Sequence, residues 1–411
     1  MSVDQRCRLH RDAVDLDADA LLDDRLPAAL AAHGDLAGRG ARYRSLPSLG
    51  IDLGEHRVTL EVGDGPLRLR HGVETAGVVA ELDVDALSDV VQDRQSPMGL
   101  AMTSRVRIAA GSLDDWIGWE PALRALCEGR PVHESGAVDV TVDVARRFTL
   151  DDDPDEMAAF LVEAGFLVVE GVFDEAEMGQ VGTDIDASMA EARDADPGYW
   201  WCTDASGSQV AVRSLDFQEK SVAVRAAITD ERLAWISGLT GDGHVAPTTC
   251  EGLVKPLDIV TGLSDLPWHK DCGQGLHSYK CNSLTVGISV TGADRVSGAL
   301  GVIPGSHRAN TTASMRDPRL DLPSRLLETA TGDITVHCSD TLHRAYPPTE
   351  RPRRVVYTSF TLPPLPGDEI APNPRYSRAA RSELTDVQER IADADNPTAH
   401  NRYDPAAPTA G

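Results

Sequence analysis

Apolar and polar positions change rhythm twice along the chain. Residues 1–50, rich in Ala, Asp and Arg, predict a helix followed by a loop. Val58, Leu60 and Val62 then alternate with polar residues, Gly63-Asp64-Gly65 offers a turn, and Leu67 and Leu69 return. Alternation with period two around a Gly-rich turn predicts a β-hairpin. Val78–Leu82 predicts another strand, Asp83 can cap a helix ending near Gln92, and residues 112–128 predict one or two short helices. The run Asp151-Asp152-Asp153-Pro154 interrupts this unit, since charge ending in proline suits a solvated junction.

Beyond the junction, Asp155–Ala164 predicts a helix and Phe166–Val169 a buried strand. Asp174 and Glu177 form a capping box. The helix they open carries Met178, Val181, Ile185 and Met189 at spacings of 3, 4 and 4, a single apolar stripe that packs on a core. From 250 to 362 short alternating strands follow one another, among them 284–290, 298–303, 333–337 and 354–360. A helical lead-in followed by such strands predicts a double-sheet jelly roll. From about 378 the chain offers one polar helix, with Leu384, Val387 and Ile391 on one face, and a Pro/Ala-rich tail expected to be mobile. The expected fold is therefore α+β. A smaller α+β accessory domain (1–150) precedes a double-stranded β-helix, or jelly-roll, catalytic domain (151–377), and a C-terminal helix and tail (378–411) complete the chain.

Charge narrows the partners. With 65 acidic against 39 basic residues, a net charge of −26 repels polyanions and excludes nucleic acid as an expected partner. No apolar run reaches the ~18–20 residues of a membrane span, and the N-terminus has no secretory apolar region. The seven cysteines contain no C-x-x-C pair and read as reduced. These features predict a cytoplasmic protein without membrane insertion. They leave its oligomeric state open.

The tripeptide H-x-D occurs at His10-Arg11-Asp12, His33-Gly34-Asp35 and His269-Lys270-Asp271. Only the third leads into the strand-rich region, where alternation would place His269 and Asp271 on one face. His343 follows 74 residues later at the predicted end of a strand. Two imidazoles and one carboxylate make the facial triad that suits Fe(II) and leaves three adjacent coordination sites free. A 2-oxo acid can fill two of them and O2 the third. The distal carboxylate of 2-oxoglutarate then needs a buried cation, for which arginine's planar fork is best shaped. Arg353 and Arg354 open the next strand; parity sends one of them inward, and Arg353 is favoured with Arg354 a close second, since register against Phe360 supports the former and counting forward from His343 the latter. Lys255 is a further candidate for contact with co-substrate, or a solvated strand-end lysine.

These residues carry a resemblance to the phytanoyl-CoA dioxygenase-like family. GFLVVEGVF between two helices, LVKPLDIVTGLSDLPWHKD, SGALGVIPGSHR and GDITVHCSDTLHRAYPPTERPRR resemble its segments in order, over about residues 153–365. The resemblance implies an Fe(II)- and 2-oxoglutarate-dependent dioxygenase with His269, Asp271 and His343 as metal ligands and Arg353 as co-substrate anchor. It implies oxidation of a small-molecule substrate with release of succinate and CO2. Related halogenases carry a small residue at the position of Asp271, so a carboxylate there implies oxygenation, with hydroxylation the leading outcome. Tyr199-Trp200-Trp201 and Arg213–Glu219 fall where that family contacts substrate. Residues 78–126, VVAELDVDALSDVVQDRQSPMGLAMTSRVRIAAGSLDDWIGWEPALRAL, resemble a sterol-carrier-protein-2-like domain, in which a strand, a helix and a strand precede helices lining an apolar groove.

Other motifs read structurally. His307, in Gly305-Ser306-His307-Arg308, is expected to organise a turn, His337 to be packed or to support the ligands, and Trp268 to wall the pocket or join the core. Arg344, Arg351, Arg353 and Arg354 suggest a local basic patch, yet the acidity of the whole chain disfavours a CoA ester, so a natural-product intermediate is the expected substrate. The competing readings are a cupin-like metalloenzyme that uses no 2-oxo acid and a non-catalytic carrier of hydrophobic ligands.

Overall fold

The computed structural model describes residue 14 and residues 16–361, apart from 94, 103, 194–195, 197, 242, 263–265, 272–282 and 314–316. The predicted C-terminal helix and the first H-x-D tripeptide lie outside the described residues.

The N-terminal unit opens with α1 (Leu26–Tyr43) and lays it on a five-stranded sheet. Its strands are β1 (Leu49–Asp52), β2 (Arg57–Glu61), β3 (Arg68–His71), β4 (Val78–Leu82) and β5 (Val106–Ala110), in spatial order β3-β2-β1-β4-β5. The hairpin pairs Leu60 with Leu69 as the alternation predicts, while β1, which lacks that alternation, is a strand that begins where a loop is expected. It pairs parallel with β4, so the chain crosses over between β3 and β4. Helices α2 (Val84–Val91) and α3 (Pro97–Met102) fill the connection from β4 to β5, and α4 (Leu113–Gly118) and α5 (Glu120–Glu128) follow. The Asp83 carboxylate accepts from Ala86 N at 2.6 Å, the cap that starts α2. Trp116, Ile117, Trp119, Ala122 and Leu126 bury completely against α1 and the sheet.

The second unit gathers its own core. Phe148 already belongs to it, bridging to Val169 and packing edge-on against Phe160. Helix α6 (Pro154–Ala164), strand β6 (Phe166–Val169) and helix α7 (Glu175–Glu191) come next, the last opened by the Asp174–Glu177 capping box. The strands continue as β7 (Tyr199–Asp204), β8 (Gln209–Ser214), β9 (Cys250–Lys255), β10 (Ile259–Thr261), β11 (Leu266–His269), β12 (Ser283–Ser289), β13 (Leu300–Val302), β14 (Arg325–Leu327), β15 (Ile334–Cys338), β16 (His343–Ala345) and β17 (Arg353–Thr361). An eight-stranded sheet runs β10-β7-β8-β9-β17-β12-β15-β6 and a four-stranded sheet β11-β16-β13-β14, which is the jelly-roll arrangement expected.

The larger sheet has two unlike faces. Leu284, Val286, Ile288, Ile334, Val336, Val356 and Phe360 form an apolar face that meets Met178, Val181 and Ile185 of α7. Residues paired across antiparallel strands share a face. Registers Thr285↔Ser359, Thr285↔His337, Arg353↔Lys255, Tyr357↔Glu251, Arg213↔Leu253 and Trp200↔Arg213 therefore place these side chains together on the other face. Most are polar, and this is the wall that looks into the jelly roll. Gly287 sits in the middle of it: a Cβ there would come within 2.9 Å of the Tyr357 ring, so only glycine leaves room for the tyrosine.

His307 ties α6 to the smaller sheet through its Nε2, 2.9 Å from the Val162 carbonyl. Burial pushes its pKa from 6.5 down to about 4, so the folded protein holds it neutral while the unfolded chain protonates it. Protons bind preferentially to the unfolded state between those values, so stability falls as pH drops through that window. His307→Gln should flatten this limb of the pH–stability profile, measured by thermal melting; a variant profile parallel to the parent's would refute the assignment.

Candidate metal centre

Strand β11 ends at His269, and Asp271 lies just beyond it rather than on it. The expected strand alternation is thus corrected: a register irregularity separates Leu266 from His269, and hydrogen bonds made beyond the strand orient the carboxylate. Lys270 N donates to Ala313 O at 2.7 Å and Asp271 N to Ser339 O at 2.9 Å. The Lys270 side chain turns the opposite way into the protein, completely buried, with Nζ 3.2 Å from Ser306 O. His343 begins β16 instead of ending a strand, because residues 339–342 turn between β15 and β16. It pairs with His269 across the smaller sheet.

The three side chains converge, with donor atoms all within 4.8 Å of one another. Asp271 Oδ1 lies 3.3 Å from His343 Nε2 and 3.6 Å from His269 Nε2. Adjacent donors about 2 Å from a shared ion would stand about 3 Å apart. The donor set therefore fits a divalent ion with two nitrogens and one oxygen on one side. His343 Nδ1 lies 2.9 Å from the Thr341 carbonyl, which can only accept, so the ring keeps its proton there, and losing the Nε2 proton would free that nitrogen's lone pair for a metal.

The second oxygen of Asp271 is occupied. The Thr285 hydroxyl donates to Oδ2 at 2.7 Å, and His337 Nε2 lies 3.5 Å from the same atom. Thr285 was not singled out from sequence, although its place in the alternating run Leu284–Val290 was the available signal. Burial alone would raise the Asp271 pKa, but the charge of His343 and contacts with three imidazoles hold the carboxyl well below its usual range. Burial, followed by the charge of His343, pushes His337 down to about 4, so it supports the carboxylate as a neutral ring.

Arg353 and Arg354 separate as parity requires. Arg354 stands on the helix-facing side and makes a two-pronged pair with Asp186 of α7, at 2.7 and 2.8 Å. Arg353 is 3% exposed on the interior wall, and its Nε has no hydrogen-bond partner among the described residues. A buried guanidinium without a counter-charge is costly unless an anion meets it. Lys255 lies opposite Arg353, buried, and donates to the Tyr346 carbonyl at 2.5 Å. The suggested basic patch dissolves in three dimensions. Arg351 pairs with Asp294, Arg344 stacks on Tyr346, Arg354 meets Asp186, and Arg353 points inward.

The remaining candidates resolve simply. Trp268 joins a small core with Ile303, Leu320 and Leu342, the second of the two readings. His33 lies on α1 with Nδ1 2.9 Å from Leu126 O, far in sequence and fold from His269. Ser306 links the two ligand segments: its hydroxyl accepts from Leu342 N at 2.8 Å, beside His343, and its carbonyl accepts from Lys270. That is the structural work of the Gly-Ser-His-Arg motif. Trp200 lies against the Arg213 guanidinium at 4.1 Å, and Arg213 pairs with Glu251 at 3.0 Å on the same wall.

Residues 161–355 match the family model for phytanoyl-CoA dioxygenase (PhyH), somewhat less than half of the chain. No curated protein matches it. Similar solved structures include the epimerase SnoN in complex with Fe3+, alpha ketoglutarate and nogalamycin RO, at 19% identity over 51% of this chain and 83% of that one, TM-score 0.41. EctD from S. alaskensis with 2-oxoglutarate and 5-hydroxyectoine is 19% identical over 60% and 93%, TM-score 0.43. AviO1 from Streptomyces viridochromogenes Tue57 is 20% identical over 52% and 98%, TM-score 0.41. Likenesses this distant say nothing about activity. The family match together with the His-Asp-His cluster defines the class: a non-haem iron, 2-oxoglutarate-dependent oxygenase. Among the described residues no helix is long and apolar enough to cross a membrane.

Proposed function

We propose that this oxygenase hydroxylates a small polar molecule, a natural-product intermediate being the favoured class. In this reading His269, Asp271 and His343 hold Fe(II), and Arg353 receives the distal carboxylate of 2-oxoglutarate. Bound iron and co-substrate would supply an O2-dependent oxidation coupled to release of succinate and CO2. The protein's part is to fix the two imidazoles and one carboxylate oxygen, hold the other oxygen on Thr285, and neutralise a dianion in a buried site. The observation that carries the reading is the buried Arg353, whose Nε has no hydrogen-bond partner among the described residues, on the same wall as Thr285.

Wall chemistry supports the substrate class. Arg213, Glu251, Trp200 and Tyr357 line the face beyond Arg353 (half-buried, polar or amphipathic), a poor lining for a fatty chain. Strands β9 and β12 are two apart, about 10 Å, so a small molecule can span from Glu251 to the row that holds Asp271. The test is succinate formation from 2-oxoglutarate with Fe(II) and O2, stimulated by a panel of polar metabolites and by acyl-CoA thioesters. Stimulation by polar compounds is expected. A response to acyl thioesters alone would overturn the substrate class, and no succinate at all would favour a metalloenzyme that uses no 2-oxo acid.

A further inference from the structure

The N-terminal unit touches the candidate metal centre through one short chain of bonds. Glu120, at the start of α5, is 1% exposed, and its Oε2 accepts from Ala313 N at 3.2 Å. Ala313 O in turn accepts from Lys270 N at 2.7 Å, between His269 and Asp271. Thus a single residue of the second unit, Ala313, is held at its N–H by the N-terminal unit and at its carbonyl by the ligand-bearing segment.

The surrounding contacts fix Glu120 and the segment it grips. Arg124, one turn along α5, pairs with Glu120 and reaches the Thr311 carbonyl at 3.4 Å. The Asn310 amide donates to Pro121 O at 2.9 Å and to Arg130 O at 3.0 Å, while His133 N donates to Asn310 O at 3.0 Å. Asn310, Thr311 and Thr312 are all buried there. A carboxylate accepting a buried N–H is among the stronger neutral-to-charged bonds, and without it both the amide and Arg124 lose a partner.

Resting on the iron-binding reading above, we infer that Glu120 is a positioning residue for the metal centre. It fixes residues 310–313, which set the backbone of Lys270 and thereby the separation of His269 and Asp271. The N-terminal unit is then part of the iron-binding apparatus, whatever else it binds. Contacts elsewhere in the same interface do not share this role. Arg319, for example, donates from its guanidinium to Tyr43 O and Arg44 O at 3.0 Å, and no hydrogen bond leads from Arg319 to residues 310–313 among the described residues.

The experiment uses the full chain and Fe(II) alone, titrated anaerobically, with apo-protein melting and circular dichroism measured alongside. Glu120→Ala should weaken Fe(II) binding by about 10-fold or more, the range that loss of an outer-shell support costs. Amide exchange across 266–271 should quicken while the sheets stay protected. Asn310→Ala, which loosens the same segment from the other side, should act likewise and serves as the test should Glu120→Ala fail to fold. Arg319→Ala, at a contact of the same interface outside that support, should leave affinity within about twofold of the parent. Parent-like affinity in folded Glu120→Ala or Asn310→Ala, or an equal loss in Arg319→Ala, would overturn the inference. A parent protein that binds no Fe(II) would instead overturn the reading on which it rests.

Discussion

Replacing Arg353 with alanine should leave Fe(II) binding intact and raise the 2-oxoglutarate requirement steeply. Truncating one side of a buried, hydrogen-bonded charge pair costs about 2–5 kcal/mol, or about 30-fold and upward in apparent affinity. The apo protein should lose no thermal stability and can gain some, because the substitution removes a buried charge that has no partner at Nε among the described residues. Arg354→Ala supplies the contrast. It breaks a largely surface pair with Asp186, worth about 0–1 kcal/mol, and should leave the 2-oxoglutarate requirement where it was. Arg353→Lys keeps the charge but not the planar fork and should fall between the two. Equal 2-oxoglutarate dependence in parent and Arg353→Ala would remove the anchor from the account.

The second large effect is at the ligands. His269→Ala and Asp271→Ala should each abolish retained iron and 2-oxoglutarate turnover, a loss well beyond the about 10–100-fold typical of outer-shell changes. Thr285→Val provides the graded comparison. It withdraws the hydroxyl that donates to Asp271 Oδ2 without removing a metal donor, so it should fall in that outer-shell range. Metal content by elemental analysis and succinate release measure both. Full activity in either ligand variant would refute its assignment.

Much of this arrangement was legible because it depends on local chemistry. The capping box at Asp174, the hairpin at Leu60 and Leu69, and the wall-forming alternation of β12, β15 and β17 are written in spacings of two, three and four. Parity likewise required Arg353 and Arg354 to face opposite ways, but which of them turns inward depends on the strand register and was open in the sequence. What sequence spacing misplaced was set by tertiary bonds. Asp271 left its strand because its N–H is claimed by Ser339, a residue 68 positions later. His343 opens β16 because four residues turn before it, and no spacing rule distinguishes a strand's first residue from its last. The grip of Glu120 on Ala313 spans 193 positions and joins two units, so nothing near either residue announces it. Strand β1 escaped notice because Leu49-Gly50-Ile51 is buried throughout its apolar run and shows no alternation.

Anaerobic titration with Fe(II) and then 2-oxoglutarate tests the central claim most directly. The parent should take up one equivalent of iron and develop a visible charge-transfer band on addition of 2-oxoglutarate, and His343→Ala should do neither. An undiminished band in His343→Ala, or none in an iron-loaded parent, would contradict the account.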